Sequence, residues 1–330
     1  MQATAEAHPN IALVKYWGKR DAALNLPACG SLSITLDTLV TRTRVRFDDE
    51  LAADRLARDG QSSPRELTRV SDCLDLLRAR AGTDVRASVE TSNSFPTGAG
   101  LASSASGFAA LVVAASAALG LVLESRELSV LARRGSGSAA RSIFAGFVEM
   151  AAGERADGED AYAAELLAPQ EWPLAVVVAV TSNEAKDISS GVGMERSRTT
   201  SPFYPAWVET TPADLDLARR AVATRDFAAL AEVSEHSCLK MHATMLSSSP
   251  GLLYWSGATV DCLHRIRHLR ERDGVAAFFT VDAGPQVKAV CLPEDAARVA
   301  DALREVPGVQ SVLTAGLGQG ARVVDEDEAE

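Results

Sequence analysis

One stretch of the chain limits the possible folds more than any other. No charged residue occurs between Glu90 and Glu124, although 23 % of all residues are charged. Residues 100–123 of this stretch are enough to cross a bilayer as a helix. Ala, Ser and Gly dominate its first half, however, and a proline and two glycines stand at its start. We therefore predict a helix buried in a protein core rather than a membrane span.

The composition excludes several classes of protein. A chain of 330 residues is long enough for two domains or one large one, of which we expect two, and 47 % hydrophobic residues is an ordinary globular value. The net charge of −11 and the lack of a Lys/Arg cluster argue against nucleic-acid binding. Part of the acidity belongs to the tail, residues 325–330, which we expect to be a solvated end.

Cysteine usage and the N-terminus predict a location. The five cysteines are odd in number and scattered, and no CxxC pair occurs, so reduced cytosolic thiols are expected rather than a disulfide framework. The first residues lack the basic region and apolar run of a signal peptide.

Apolar periodicity predicts a strand-rich first half and a second half of helices with a few strands, divided near residue 185. No internal repeat is present. Strands are predicted at 11–16, 31–36, 41–47, 85–91, 142–150, 174–180, 276–281, 287–292, 308–313 and 322–324. Helices are predicted at 65–81, after residue 107, and at 127–134, 186–196, 212–224, 227–245, 254–271 and 293–304.

The strongest local motif is a small-residue loop, Pro96-Thr-Gly-Ala-Gly-Leu-Ala-Ser-Ser-Ala105. Small residues let backbone amides approach an anion closely, and a helix that starts there adds its N-terminal amides and dipole. The motif is neither GxxxxGK[ST] nor a GxGxxG that follows a strand. Phosphate binding and a tightly packed strand-to-helix turn both remain open on composition alone.

A second loop repeats this theme in the segment Gly135-Ser-Gly-Ser-Ala-Ala-Arg141. It combines amides, two hydroxyls and a guanidinium, which suits bidentate capture of a carboxylate or phosphate. An ordinary loop with a surface arginine is the alternative. Two such loops suggest two phosphate-bearing ligands, such as a nucleotide and a phosphorylated substrate.

Two charged residues stand at the ends of apolar strands. Lys15 closes the run Asn10–Val14, where a charge is costly unless it is paired, although a lysine at a strand edge can also extend to solvent. Asp282 closes a second apolar run beside Gly284-Pro285. It could be a general base, a metal ligand or a simple turn former.

Other candidate sites are weaker. His264 and His268 are four residues apart but lie among arginines, which favours a solvated helix face over a metal site. His236 and His242 lack carboxylate or cysteine partners at zinc spacing. The sequence contains no GxSxG motif and no recognisable Cys/His pairing, so nothing in it indicates a covalent nucleophile.

Taken together, these segments resemble the diphosphomevalonate decarboxylases, a branch of the GHMP kinase superfamily. The matching segments span almost the whole chain in family order, and KYWGKR with GSGSAARS is the most specific combination. They are HPNIALVKYWGKRD (8–21), LNLP…SLSITLD (24–37), SFPTGAGLASSASGFAAL (94–111), ARRGSGSAARSIFAGF (132–147), KDISSGVGM (186–194), TSPFY (200–204), MHATML (241–246) and VDAGPQVKAV (281–290).

The resemblance implies an α/β (α+β, two-layer) GHMP kinase fold. Residues 1–185 would form an N-terminal ribosomal-S5-like domain that binds ATP, and residues 186–330 a C-terminal ferredoxin-like domain, with the active site in the cleft between them. It also implies a cytoplasmic homodimer that uses ATP and Mg²⁺, acts on mevalonate 5-diphosphate, and binds neither nucleic acid nor membrane.

The resemblance also assigns roles to individual positions and leaves the Mg²⁺ ligands open. The catalytic residues would be Asp282, facing the C3 hydroxyl, with Lys15 beside it and Arg141 on the substrate carboxylate. The substrate-binding residues would be Asn10, Tyr16, Lys19, Arg69, Ser136, Gly137, Ser138 and Arg141. The ATP-binding residues would be Gly98, Ala99, Gly100, Leu101, Ala102, Ser103, Ser104, Lys186, Ser189 and Ser190.

The implied reaction is phosphorylation of the C3 hydroxyl of (R)-mevalonate 5-diphosphate, then loss of phosphate and CO₂ to give isopentenyl diphosphate. The alternatives are a phosphomevalonate decarboxylase, a mevalonate 3-kinase, or a homologue without catalysis. Retention of Lys15, Tyr16, Lys19 and Asp282 favours the diphosphate enzyme. Gln286 departs from the family pattern, since asparagine is common there, but no catalytic group is missing.

Overall fold

The uncharged stretch forms a helix, Ser103–Ala118, in the computed structural model, which describes residues 1–58, 63–94, 103–184 and 186–325. Twelve of its sixteen residues are buried. A buried helix needs no charged face, which explains its composition. No helix within these ranges is both long and apolar enough to cross a membrane. The core helix predicted from the sequence is therefore confirmed.

The strands have the following bounds: β1 Gln2–Ala7, β2 Asn10–Val14, β3 Lys19–Asp21, β4 Leu26–Pro27, β5 Ser31–Thr35, β6 Thr41–Phe47, β7 Arg55–Arg58, β8 Ala87–Asn93, β9 Phe147–Met150, β10 Ala163–Leu167, β11 Ala175–Val180, β12 Ala277–Val281, β13 Val287–Cys291, β14 Ser311–Ala315 and β15 Arg322–Val324. The helices are α1 Pro64–Ala81, α2 Ser103–Ala118, α3 Ser125–Gly135, α4 Ser190–Thr200, α5 Tyr204–Thr224, α6 Phe227–Leu246, α7 Gly257–Asp273 and α8 Ala296–Arg304.

Within the described ranges the strands form three larger sheets and one short hairpin. The first sheet has the order β15-β1-β6-β8-β7 and the second β10-β9-β5-β2. The third has the order β12-β13-β11-β14, and β3 pairs with β4. The mixture of helices and sheets is the fold that the resemblance implied.

Three hydrophobic clusters hold these layers together. The first sheet packs its apolar face on α1, α2 and α3. The second and third sheets share one cluster, in which Ile11 and Ile34 meet Val178 and Phe278 beneath α5 and α6. The opposite face of the third sheet packs on α7 and α8. The ends of β2 and β12 thereby lie close together, next to α6.

The sheet pairings bear on the division of the chain near residue 185. Strand β11 lies before that residue but pairs with β13 and β14, so its six residues belong to the third sheet. Strand β15, near the end of the described chain, pairs with β1 in the first sheet. Strand pairing thus favours a division before β11 and a return of the chain to the first unit.

The strand predicted at 142–150 is wrong over its first half. A 3-10 turn occupies Gly137–Ile143, and only β9 forms a strand within this range. The turn forms because the side chains of Arg141 and Ser142 are hydrogen-bonded inward to Asn10, which draws this backbone toward β2.

Candidate active site

A cavity of about 600 Å³ opens where β2, the 3-10 turn Gly137–Ile143, the start of α4 and the end of β12 meet. Every predicted site residue that the structure describes lines it. These are Asn10, Lys15, Tyr16, Lys19, Arg69, Ser103, Ser104, Ser136, Gly137, Ser138, Arg141, Lys186, Ser189, Ser190 and Asp282. The predicted residues Gly98, Ala99, Gly100, Leu101 and Ala102 lie outside the described residues.

Two lysines hold the carboxylate of Asp282, one on each oxygen. Lys15 Nζ donates to Oδ1 at 2.6 Å, and Lys288 Nζ lies 3.2 Å from Oδ2. Both lysine side chains are 1 % exposed, whereas the aspartate side chain keeps 27 % of its surface exposed. Since Lys15 lies at the end of β2 and Asp282 at the end of β12, the pair joins two sheets across 267 positions of sequence.

This arrangement sets the charge of Asp282. Burial alone would raise the pKa of the carboxyl, but the charges of Lys15 and Lys288 and their hydrogen bonds outweigh it and hold the pKa far below its usual range. The side chain is therefore an anion at neutral pH. Burial also lowers the pKa of Lys288, against the opposing attraction of Asp282.

Arg141 is a buried cation without an anionic partner among the described residues. Its Nη2 and Nε donate to Asn10 Oδ1 at 3.0 and 3.2 Å, and Nη1 donates to Ser31 Oγ at 2.6 Å. Burial lowers its pKa to about 10, so it stays charged at neutral pH. Because such a charge is costly unless paired, the arrangement suits an anionic ligand on this wall of the cavity.

The turn after α3 is shaped around Tyr16. A Cβ at Gly137 would lie 2.2 Å from Tyr16 Oη, so any larger residue there would displace the phenol ring. Among the described residues the buried phenol oxygen has no hydrogen-bond partner, so a ligand could satisfy it. Ser136 and Ser138 place their hydroxyl oxygens 3.4 Å apart on the same turn.

Two more cations stand on the cavity wall. Lys19 donates to Asn25, and Arg69 donates to Gly135 O at 2.9 Å while it stacks over the ring of Phe108. Burial lowers the pKa of Lys19, and the positive charge of Arg69 lowers it further. Two like charges held together in this way favour binding of a polyanion.

The segment before α4 supplies a further lysine. Lys186 Nζ donates to Ser190 Oγ at 2.9 Å and to Ala283 O at 3.1 Å, so it ties the start of α4 to the residue after Asp282. Ser189 is the N-cap of α4. The helix thus starts at Ser190, four residues later than the position that periodicity predicted.

A second cavity of about 410 Å³ adjoins the first. It lies against α1, α2 and the strand β7, and apolar side chains such as Leu56, Phe108 and Leu111 form much of its wall. Arg69, Ser103 and Ser104 line both cavities. A ligand with an apolar ring at one end and charged groups at the other could therefore extend from one cavity into the other.

The comparisons with known proteins agree with this geometry. Residues 7–163 match the family model described as the diphosphomevalonate decarboxylase-like N-terminal domain, and residues 176–322 match the mevalonate 5-diphosphate decarboxylase C-terminal domain. The chain belongs to the diphosphomevalonate decarboxylase family.

Relatives of this family match along most of the chain. The diphosphomevalonate decarboxylase of Aspergillus fumigatus is 38 % identical over 93 % of this chain and 81 % of its own length. The human diphosphomevalonate decarboxylase is 36 % identical over 86 % of this chain and 74 % of its own length.

Solved structures show the same fold. The mevalonate diphosphate decarboxylase from Staphylococcus aureus superposes with a TM-score of 0.92 at 38 % identity, and covers 98 % of both chains. A structure described as MDDEF in complex with MVAPP, AMPPCP and magnesium has a TM-score of 0.91 at 38 % identity, over 98 % of this chain and 99 % of that one. The predicted fold class and family are both confirmed.

Sequence reasoning missed several parts of this decarboxylase-family site. Lys288 was treated only as part of a strand, although a lysine inside the buried run Val287–Cys291 is a signal in itself. Ser31, which holds Arg141, gave no signal. The second cavity depends on β7, whose alternating partly exposed residues did not register as a strand.

His264 and His268 are both exposed on α7, as expected of a solvated helix face. Among the described residues, no group of three His, Cys, Asp or Glu side chains could hold a metal ion. His242 is buried, with Nε2 3.2 Å from both Val281 O and Trp255 Nε1. Burial lowers its pKa to about 3, so it is a neutral core histidine.

Proposed function

We propose that this chain catalyses the ATP-dependent decarboxylation of (R)-mevalonate 5-diphosphate to isopentenyl diphosphate. The observation that carries the proposal is the pairing, in one cavity, of the ionised Asp282 with the buried Arg141. A 3-hydroxy acid requires a carboxylate that accepts a hydrogen bond from its hydroxyl and a cation that binds its acid group.

The substrate fits the cavity in one orientation. Its carboxylate would bind the guanidinium of Arg141, whose fork geometry suits a carboxylate. Its C3 hydroxyl would donate to Asp282. Its diphosphate would occupy the wall formed by Lys19, Arg69 and the turn Ser136–Ser138, with the phenol of Tyr16 as a further donor.

The nucleotide fits the second cavity. The apolar wall would hold the base, and the phosphates would cross Ser103 and Ser104 toward Lys186. Mg²⁺ often binds through substrate phosphates with few protein ligands and several waters, which agrees with a wall of serine hydroxyls and no dedicated carboxylate cluster among the described residues. When bound with the nucleotide, Mg²⁺ would neutralise charge on the transferring phosphate.

Asp282 would orient the hydroxyl more than it would act as a strong base. A carboxylate with so low a pKa is a weak proton acceptor. Phosphoryl transfer passes through a loose transition state and depends mainly on alignment and charge neutralisation, so a weak base suffices. The C3 hydroxyl proton passes to Asp282 as the C3 oxygen bonds to the γ-phosphorus and the bond to ADP breaks.

The second stage removes two groups. The C3–O bond breaks, phosphate leaves with the electron pair, and positive charge develops at C3. The carbon–carbon bond to the carboxylate then breaks, its electrons form the alkene, and CO₂ leaves. Apolar side chains on the cavity wall, Trp17, Met194 and Met241, would keep water from the cation.

The two cations Lys19 and Arg69 favour the 5-diphosphate over the 5-phosphate as substrate. The presence of both Asp282 and Arg141 favours an active enzyme over a homologue without catalysis.

For the division of the chain into units, the sheet pairings support an N-terminal ATP-binding unit that ends before β11. The five free, buried cysteines support a cytoplasmic location. Homodimer assembly stays a prediction.

The test is to count ADP and CO₂ with purified protein, Mg²⁺-ATP, and mevalonate, its 5-phosphate or its 5-diphosphate in separate reactions. Equal amounts of both products with the 5-diphosphate alone are expected. ADP without CO₂ would indicate a kinase, turnover with the 5-phosphate alone a monophosphate decarboxylase, and no turnover a silent homologue.

A further inference from the structure

Lysine is scarce in this chain and concentrated at the candidate active site. The only five lysines are Lys15, Lys19, Lys186, Lys240 and Lys288, against 33 Lys and Arg residues in total. Three of them line the first cavity. Lys288 does not line it, but contacts Asp282 from behind. This lysine has no part in the substrate contacts proposed above.

The register of the third sheet directs Lys288 toward Asp282. Lys288 lies opposite Thr280 on β12 and opposite Val178 on β11, so it is in the interior of the sheet. Two residues along β13, Val290 belongs to the cluster shared with the second sheet. Since residues two apart share a face, Lys288 points to the side from which Lys15 arrives.

Stability does not account for this lysine. An ammonium group that is 1 % exposed is costly to bury, and buried ion pairs can commonly be replaced by apolar residues without loss of stability. Its further acceptor is Gln286 O at 3.4 Å. A function for the charge explains its presence better than packing does.

We propose that Lys288 is a positioning residue for Asp282: it holds Oδ2 from inside the sheet, so that the carboxylate stays ionised and fixed while Lys15 engages the reacting groups. The proposal rests on the role of Asp282 in the proposed function. Lys15 lines the cavity and can exchange partners when substrate binds, whereas the contact of Lys288 is sealed from the cavity.

Other titratable groups also face Asp282. Cys238 and His242 approach from α6, but burial raises the pKa of the thiol and lowers that of the imidazole, so both are neutral. Lys186, before α4, and Arg141, on the 3-10 turn, act at longer range as cations. Among the described residues, only Lys15 and Lys288 form ion pairs with the carboxylate.

The test measures the Asp282 carboxyl directly, by ¹³C NMR of the aspartate Cγ with the signal assigned from D282N. In K15M, Lys288 is the remaining ion-pair partner, and we expect the carboxyl to stay ionised down to about pH 5. In K15M/K288M we expect it to titrate above its ordinary pKa of 3.8, because burial then dominates. Titration of the carboxyl in the double variant at or below its ordinary pKa of 3.8 overturns the proposal.

Steady-state kinetics give a second readout, because a residue that only packs would not change kcat selectively. With the single variant K288M we expect kcat to fall about 10- to 100-fold with little change in KM, and K288R to recover most of it. K240M removes a comparable lysine–carboxylate pair outside the cavity and should keep wild-type kcat. An equal loss in K240M, or no difference between K288M and K288R, contradicts the proposal.

Two further controls separate the possible failures. If K15M/K288M does not fold, K288Q keeps a donor without the charge, and wild-type kcat in K288Q overturns the proposal. The NMR readout needs no turnover. Absence of CO₂ from the wild-type protein would therefore count against the proposed function, and not against the contact between Lys288 and Asp282.

Discussion

The buried guanidinium of Arg141 should have opposite effects on stability and on catalysis. Burial lowers its pKa from the ordinary arginine value to about 10, which corresponds to about 3 kcal/mol against the charged form in the folded protein. The variant R141M removes this cost, but leaves Asn10 and Ser31 without their donor, at about 1–3 kcal/mol. We expect the free energy of unfolding of ligand-free R141M to lie within about 2 kcal/mol of the wild-type value.

The pH dependence of wild-type stability decides the pH at which the free energies of unfolding of wild type and R141M should be compared. Arg141 has a lower pKa folded than unfolded, so the unfolded state binds more protons between about pH 10 and 12.5 and wild-type stability rises with pH only in that window. At about pH 7 the full cost is present and constant. Denaturant unfolding of wild type and R141M at about pH 7 therefore measures the cost of the buried charge.

Catalysis should respond far more strongly. Removal of one partner from a buried charge pair costs about 2–5 kcal/mol, so kcat/KM of R141M for the 5-diphosphate should fall about 30- to 5,000-fold. R141K keeps the charge but loses the fork geometry, and should fall between wild type and R141M. Steady-state CO₂ release checks this. A normal kcat/KM in R141M, or a loss explained by unfolding, would refute the reasoning.

The other predictions concern the remaining walls of the cavity. D282N should lower kcat by about 100-fold or more while ATP and substrate binding, measured by calorimetry, stay nearly intact; full activity would exclude the role of Asp282. G137A places a Cβ 2.2 Å from Tyr16 Oη and should raise KM for the 5-diphosphate by about 10-fold or more; a wild-type KM in G137A would show that the turn accommodates the Cβ without loss of the diphosphate site. Because burial lowers the pKa of Lys186, its charge is lost at a pH below the ordinary 10.5, so an alkaline fall in kcat should be present in the wild type and absent from K186M; the same fall in both would assign it to another group.

Local pattern was enough for elements whose burial is regular. β6 was predicted with its observed bounds because its residues alternate between core and surface. α2 was predicted because no charge interrupts it. β1 was missed, since Thr4 is its only residue that favours strands and its partners are β6 and the distant β15.

Proline misplaced one boundary. Helix α5 was predicted to start at Pro212, a residue favoured in the first turn, but it starts at Tyr204 and contains the proline. The buried Trp207, whose indole donates to Trp17 O at 2.8 Å, holds the earlier turn in place. Tertiary packing therefore overrode the local preference.

For the site as well, the local sequence predicted individual residues but not the contacts between distant ones. Pattern alone placed Lys15 and Asp282 as charges at strand ends, but nothing local says that two such ends meet across 267 positions. The resemblance supplied that pairing. Lys288 was found only from the structure, because its role depends on the register of β13 against β12.

The most direct test of the central claim is the structure of this chain with mevalonate 5-diphosphate bound. We expect the substrate carboxylate within hydrogen-bond distance of Arg141, the C3 hydroxyl within hydrogen-bond distance of Asp282, and the diphosphate against Lys19 and the turn Ser136–Ser138. A substrate bound with its carboxylate away from Arg141, or with its C3 hydroxyl out of reach of Asp282, would contradict the account.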